Sequence, residues 1–513
     1  MTKKLFILSI LLLQSTPAFA QCVDTAWVKL YNGSGNYLDE AYAIAVDSSG
    51  NVYVTGKSYG DNWTYEDYAT IKYYPNGDSV WARRYNGPGD ITDKACAIAI
   101  DDSGNVYVTG YSWGGLSGDD YATIKYYPKG NTAWVKRYNG PGNGHDEACA
   151  IAVDEYGNVY VTGGSWGGGS SNDYATIKYY PNGDTVWLRR YNGPGNGHDG
   201  ASAIAVDGFG NIYVTGASEG IGANYDYATI KYYPNGDTAW VRRYNGPGYD
   251  YDYAHAMTID GSGNIYVAGQ SIGTGTQHDY TTIKYDSSGN ELWVRRYNGP
   301  GNSNDQIYAM AMDGSGSVYV TGQSYGVGSG YDYATIKYYP NGDTAWVRRY
   351  TGPAYDYDCA SAITIDGSGN AYVTGQSIGT GTQHDYATIK YDSSGNEFWI
   401  RRYNGPGGSY DYARAITVDG RGNVYVTGGT YGSVLYLDYA TIKYCQSLLG
   451  DANGDGVIDI GDVVYLINYL FRFGDPPCPS EAGDINCDEV IDIGDVVYLI
   501  NYLFKDGPPP SQS

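Results

Sequence analysis

From Trp27 to Tyr444 the chain is written in short runs of apolar and β-branched residues, each bounded by clusters of Gly, Asn, Asp, Ser or Pro. Such runs predict strands joined by tight turns. Four kinds of run recur in fixed order: a small-residue run such as Ala43–Asp47, an NVYVTG-like run, a DYATIKY-like run, and a run built around a tryptophan. The DYATIKY segment begins at Asp67, Asp120, Asp173, Asp226, Asp279, Asp332, Asp385 and Asp438, a step of 53 throughout. Trp27, Trp81, Trp134, Trp187, Trp240, Trp293, Trp346 and Trp399 mark the fourth run of each unit. Turn sequences such as SSGN after Asp47 and PNGD after Tyr74 supply residues that tolerate positive φ in hairpins.

Eight units of four antiparallel strands predict a mainly β fold, a closed eight-bladed β-propeller; an open β-solenoid is the rival. The first strand of a unit uses small residues (Ala43, Ala45) and the last uses Trp81 and Tyr85, the taper a wedge-shaped blade needs. The chain enters with an orphan tryptophan strand, Ala26 to Tyr31, and leaves after Asp438–Tyr444 with no tryptophan strand to follow. If the first completes the eighth blade, no sheet edge is left at the seam. Cys22 and Cys445 flank that seam, which predicts a Cys22–Cys445 disulfide; two free thiols are the alternative. Cys96, Cys149 and Cys359 fall near inner strands and are expected to be buried thiols. The repeat resembles the bacterial SBBP β-propeller repeats from about Cys22 to Cys445, most clearly in VDSSGNVYVTG, Val46 to Gly56. That resemblance implies a scaffold and no particular activity.

Loops alternate ends in a four-stranded blade, and only one end varies between units: SYGDNWTYED, SWGGLSGDD and PAYDYDCA belong to it. This variable face is where a glycan or protein ligand is expected. Asp39, Asp93, Asp146, Asp199, Asp252, Asp305, Asp358 and Asp411 precede the inner strands there and are candidate face carboxylates around the channel mouth. The competing reading makes each a turn residue that bonds its own backbone. Trp113, Trp166, His145, His198, His278 and His384 lie among these loops. The acidic positions of the propeller recur eightfold, and no nucleophile elbow, zinc-protease helix or phosphate loop is present, so no catalytic residue is assigned.

Residues 1–20 read as a signal peptide: Lys3 and Lys4, an apolar run from Leu5 to Leu13, then Ala18-Phe19-Ala20. No other stretch has the length and apolarity of a membrane span. The net charge of −24 becomes about −26 once Lys3 and Lys4 are removed, which excludes nucleic acid as an expected partner and favours cations. The expected division is a leader at 1–20, the propeller at 21–447 and a second domain at 448–513.

Beyond Gln446 the period changes. IDIGDVVYLINYLF stands at Ile458–Phe471 and again at Ile491–Phe504, placing Val463, Leu466, Ile467 and Leu470, and their copies Val496, Leu499, Ile500 and Leu503, on one helix face each. An acidic loop precedes each helix. The first offers Asp451, Asn453, Asp455, Asp459 and Asp462 with the Val457 carbonyl; the second offers Asp484, Asn486, Asp488, Asp492 and Asp495 with the Val490 carbonyl. Oxygen donors at alternate places suit a hard cation, so two Ca2+ ions are expected. A core this small would take much of its stability from them. Cys478 and Cys487 are candidates to bridge the connecting loop.

This segment, Gly450 to about Phe504, resembles a type I dockerin, the EF-hand-like paired module by which secreted bacterial proteins attach to cohesin domains. The resemblance implies a cohesin-like partner. Two departures stand out: Glu489 occupies the place of Gly456, and Ile460-Gly461 and Ile467-Asn468, with their copies, replace the usual hydroxyl and basic pairs. Taken together the sequence reads as a secreted, non-catalytic binding protein tethered through its C-terminal domain. The alternatives are a polysaccharide-degrading hydrolase or lyase and a cell-surface adhesion protein.

Overall fold

A computed structural model describes residues 21–510 apart from 61–64, 170, 223, 382, 433–435, 456, 487–489, 506 and 509. The expected leader at 1–20 therefore lies outside the described residues. The chain divides into two compact units, Trp27–Lys443, and Tyr444–Ser513 with the segment ending at Ala26.

The larger unit is built of four-stranded antiparallel sheets in which sequence neighbours pair in order, as in blade 1 with Asp39–Val46, Val52–Tyr59, Glu66–Tyr73 and Ser79–Tyr85. There are eight such sheets, and in the eighth the strand Gln21–Tyr31 lies beside Leu437–Leu448. The orphan strands thus complete one blade. Tyrosine is the residue that joins blade to blade: Tyr68 Oη donates to the Ala122 carbonyl at 3.0 Å and Tyr121 Oη to Ala175 at 3.2 Å, and so on round the ring. The series ends where it began, with Tyr439 Oη on the Ala69 carbonyl at 3.2 Å. Lys443 Nζ and Trp27 Nε1 both donate to the Pro75 carbonyl, at 3.2 and 3.0 Å, so the eighth blade is fastened to the first. Apolar packing follows the same rule, since Tyr425, Tyr439 and Trp27 share a cluster with Val52, Val54 and Ile71. The tryptophans of the fourth strands lie between blades and not on an open rim; Trp81, 6 % exposed, meets Tyr53 and Tyr126.

Each inner strand contains a bulge. In blade 1 Ala41 faces Gly56 and Ala43 faces Thr55, which leaves Tyr42 without an opposite number. The same shift recurs in every blade. Gly56 makes it possible, because a β-carbon there would collide with the Glu40 carbonyl.

In the smaller unit, helices α1 (Ile460–Arg472) and α2 (Ile493–Phe504) bury Val463 and Leu466 against Val496 and Leu499. Asp459 and Asp492 cap the helices and are answered by Asp462 and Asp495 in reciprocal capping boxes. No helix among the described residues is long and apolar enough to cross a membrane.

The cysteines correct the sequence reading. The disulfide joins Cys445 to Cys478, with Cα atoms 5.8 Å apart, so neither the Cys22–Cys445 nor the Cys478–Cys487 pairing is made. The strand Leu437–Leu448 runs on past the last repeat, and this brings Cys445 to the connecting loop between the helices. The Cys22 side chain and Cys487 lie outside the described residues.

Candidate calcium loops and channel pocket

The acidic loops owe their shape to carboxylates turned inward. Asp451 is 2 % exposed and Asp462 is fully buried. Asp462 accepts from the main-chain N–H of Asn453 at 3.0 Å and of Asp459 at 2.8 Å, while Asp451 accepts from Asp455 N–H at 3.0 Å. Gly454 takes φ +70 at the turn. Burial, followed by the charges of Asp451 and Asp455, pushes Asp462 up to about 6. The inward carboxylates of Asp451 and Asp462 are the oxygen donors a hard divalent ion takes, and such an ion would neutralise their repulsion. The second loop repeats the frame. Asp495 is fully buried, accepts from Ile485, Asn486 and Asp492 N–H at 2.7, 3.1 and 2.8 Å, and is raised by burial and then by Asp484. Asp488 falls outside the described residues; Val457 and Val490 are exposed. Among the described residues no three His, Cys, Asp or Glu side chains stand close enough to share an ion. The loop N–H groups hold the oxygens instead.

The candidate face carboxylates are not on a face. Asp39, Asp93, Asp146, Asp199, Asp252, Asp305, Asp358 and Asp411 are all fully buried. Asp39 accepts from Gly33 N–H at 2.6 Å and Tyr59 N–H at 3.1 Å, pinning the loop that enters its own blade. Burial raises its pKa, and that of Asp93 goes up to about 6. The expectation that they ring the channel mouth is therefore corrected in favour of the backbone-bonding reading. The second carboxylate series is equally occupied. Asp67 pairs with Arg84 at 2.8 Å, and six further blades repeat the pair, from Arg137 with Asp120 to Arg402 with Asp385. Arg137 also reaches Tyr85 Oη of the preceding blade at 3.1 Å, so each pair doubles as a clasp between blades. The eighth blade breaks the rule: Leu30 stands at the arginine position, as the Tyr31–Tyr439 ring contact fixes the register, and Asp438 has no ion pair among the described residues. Burial and then Asp39 push Asp438 up to about 6. What the variable loops do present is aromatic: Trp113 lies 6.1 Å from His145, which bonds Asp119 at 2.7 Å, and Tyr225 meets Tyr251 and Tyr253.

The asymmetry that repeated acids conceal sits inside the channel. The bulged residue of each inner strand is released from pairing, and its identity changes round the ring: Tyr42, Cys96 and Cys149 in blades 1–3, then Ser202, His255, Tyr308, Ser361 and Arg414. Bulges commonly re-aim a side chain in this way. The residue two before it varies too, with Glu40, Lys94 and Glu147 among its forms. Arg414 Nη2 lies 2.8 Å from Glu40 Oε1, and Tyr42 Oη donates to Glu40 Oε2 at 2.6 Å. Desolvation pushes the thiols of Cys96 and Cys149 up to about 11 and about 12, and lowers His255 to about 4, so all three are neutral near pH 7. Cys359 is buried as expected, whereas Cys149 is exposed to the channel. A cavity of about 490 Å³ here is lined by Tyr42, Lys94, Cys96, Tyr308, Tyr357, Cys359, Ser361, Gln376 and Arg414. The non-repeating letter at a fixed register position was the signal available in the sequence.

Eight closed four-stranded blades and a two-helix module with paired acidic loops define the class: a β-propeller carrying a dockerin-type docking domain. The chain belongs to the SBBP beta-propeller repeat family, whose model matches residues 26–62, 80–117, 133–169, 186–222, 239–275, 345–381 and 399–436. A dockerin type I domain matches residues 449–504, and such domains generally bind calcium and cohesin partners. No curated protein matches the chain. Solved structures similar to it include a Dyadobacter fermentans protein of unknown function at 9% identity, covering 82% of this chain and 98% of that one with a TM-score of 0.36. Drosophila Plexin A in complex with Semaphorin 1b shows 9% identity, 83% and 86% coverage and a TM-score of 0.38. A eukaryotic initiation factor shows 8% identity, 73% and 98% coverage and a TM-score of 0.36. At these values the likenesses decide nothing about this protein.

Proposed function

We propose that this is a secreted, non-catalytic binding protein whose propeller is carried to its place of action by calcium-dependent docking of the C-terminal module onto a cohesin-like partner. The observation that carries the reading is the duplication: two acidic loops of hard oxygen donors, each followed by the same helix. One Ca2+ in each loop would draw together the inward carboxylates and fix the angle at which the helices leave the loops. The docking surface is read from the helices. α1 exposes Ile460, Val464 and Phe471, and α2 exposes Ile493, Val497 and Phe504 at matching positions. Apolar residues repeated on both copies suit a partner that can seat either helix, in place of the hydroxyl and basic contacts of familiar dockerins. The extracellular location rests on the leader-like residues 1–20 and the disulfide, and the propeller presents its aromatic variable loops to a glycan or protein ligand.

The test is calcium titration calorimetry on the full chain, followed by binding to a panel of purified cohesins with and without chelator. Two bound ions and chelator-sensitive binding are expected. Val464→Glu or Val497→Glu alone should leave binding, and the double variant should abolish it. Calcium binding without any cohesin binding would overturn the docking reading, and no calcium binding would overturn the site.

A further inference from the structure

Most of the propeller's cations are held by its own architecture. Arginines of the repeat clasp carboxylates, and lysines of the repeat, such as Lys125 and Lys443, donate to carbonyls of the neighbouring blade. Lys94 is different. It stands where the residue changes from blade to blade, makes no ion pair among the described residues, and rests 4.1 Å above the Tyr42 ring on the channel wall. Arg414, the other cation of that wall, is balanced by Glu40 at 2.8 Å. The lining of the 490 Å³ cavity thus holds one positive charge outside any ion pair and no carboxylate, the nearby Glu147 of the next inner strand standing outside the lining, in a chain whose net charge is −24.

The remaining lining chemistry is that of a polyol site. Tyr308 donates its hydroxyl to Gln306 at 2.6 Å and Tyr357 to Gln323 at 2.7 Å, which leaves the phenolic oxygens as oriented acceptors. The Ser361 hydroxyl and the Gln376 amide make no hydrogen bond among the described residues and face the cavity. Aromatic faces, fixed acceptors, free donors and one cation are the groups that recognise a sugar ring bearing an acid. Five of the pocket's nine lining residues, Tyr42, Cys96, Tyr308, Ser361 and Arg414, are bulge residues, so the fold has aimed them at the channel. We propose that the channel pocket binds a small carboxylate-bearing sugar, with the Lys94 ammonium on the carboxylate and Tyr308, Tyr357, Ser361 and Gln376 on the hydroxyls.

The experiment uses the full calcium-loaded chain with D-glucuronate, D-glucose and acetate as probes, read by titration calorimetry and by neutral-maleimide modification of the channel thiols with mass-spectrometric mapping. Glucuronate should bind and slow modification of Cys96, which lines the pocket, whereas glucose and acetate should do neither at the same concentration. Lys94→Gln should weaken glucuronate binding tenfold or more and remove the protection. Glucose binding as well as glucuronate would overturn the role of Lys94, and acetate binding as well would reduce the site to a bare anion hole and overturn the sugar. Should Lys94→Gln not fold, the three probes on the unaltered chain still decide. These readouts concern the propeller alone, so a negative result here is distinct from a failure of calcium-dependent docking.

Discussion

Blade 8 lacks the clasp that the other seven share, and its absence has a measurable pH signature. Asp438 titrates at about 6 in the folded chain, against roughly 3.9 when unfolded. The folded state therefore holds this proton more tightly than the unfolded one. Stability from this group is greatest below pH 4, falls as pH rises from 4 to 6, and stays low above. That difference in proton affinity corresponds to about 3 kcal/mol, and solvent access to this half-buried carboxylate screens it to about 1–2 kcal/mol. Asp438→Asn removes the ionisation, so it should gain about 1–2 kcal/mol at pH 7 and nothing at pH 4. Leu30→Arg restores the missing partner beside Asp438 and should give a gain of similar size, again only where Asp438 is ionised. All 11 tryptophans precede Tyr444, so tryptophan fluorescence follows the propeller without interference from the calcium loops. For a unit of this size the gain amounts to a rise of about 1–2 °C in unfolding midpoint at pH 7. Parallel midpoints for all three proteins from pH 4 to 7 would refute the argument, because they would mean that Asp438 loses nothing by standing unclasped.

Tyr439→Phe deletes the hydrogen bond to Ala69 at the seam and should cost about 1 kcal/mol in the same fluorescence assay. Gly163→Ala should cost about 1–3 kcal/mol or prevent folding, since the added methyl meets the Glu147 carbonyl across the bulge, and circular dichroism during thermal unfolding will show it. Cys445→Ser opens a disulfide spanning 33 residues, and loop entropy puts the loss at about 4 kcal/mol for the smaller unit. Non-reducing peptide mapping of the unaltered chain should find Cys445 linked to Cys478. Alkylation of Cys149, held at about 12, should rise about tenfold per pH unit from 7 to 10 without levelling off, whereas a plateau near pH 9 would show an ordinary thiol.

The repeat was legible because strand formation, turn chemistry and blade taper all return at one interval, and an eightfold signal survives variation at any single place. The helix stripes and oxygen donors of the second unit were legible for the same reason, twofold. Three things were not. Asp39 and its copies look identical in sequence whether they face water or a loop N–H; only the path of the loop from Gly33 to Asp39 decides, and it buries them. The partner of Cys445 depends on how far its strand continues before turning, which the pairing at the seam did not reveal. The channel residues escaped because a search for recurrence passes over the position that never recurs. The bulge between Ala41 and Ala43 gives that position its meaning, and a backbone irregularity of one residue leaves little trace in composition.

The pairing of Gln21–Tyr31 with Leu437–Leu448 also sets an order of folding. Blades 1 to 7 are made of hairpins between sequence neighbours and can form as the chain emerges, but Tyr439 and Ala69 are 370 residues apart. Until Leu437–Leu448 arrives, the first strand has no neighbour and the ring stands open with a bare edge on each side. During that wait the strand of another molecule, being identical, can take the place. Crowded refolding should therefore yield exchanged dimers, while slow, dilute refolding yields single rings.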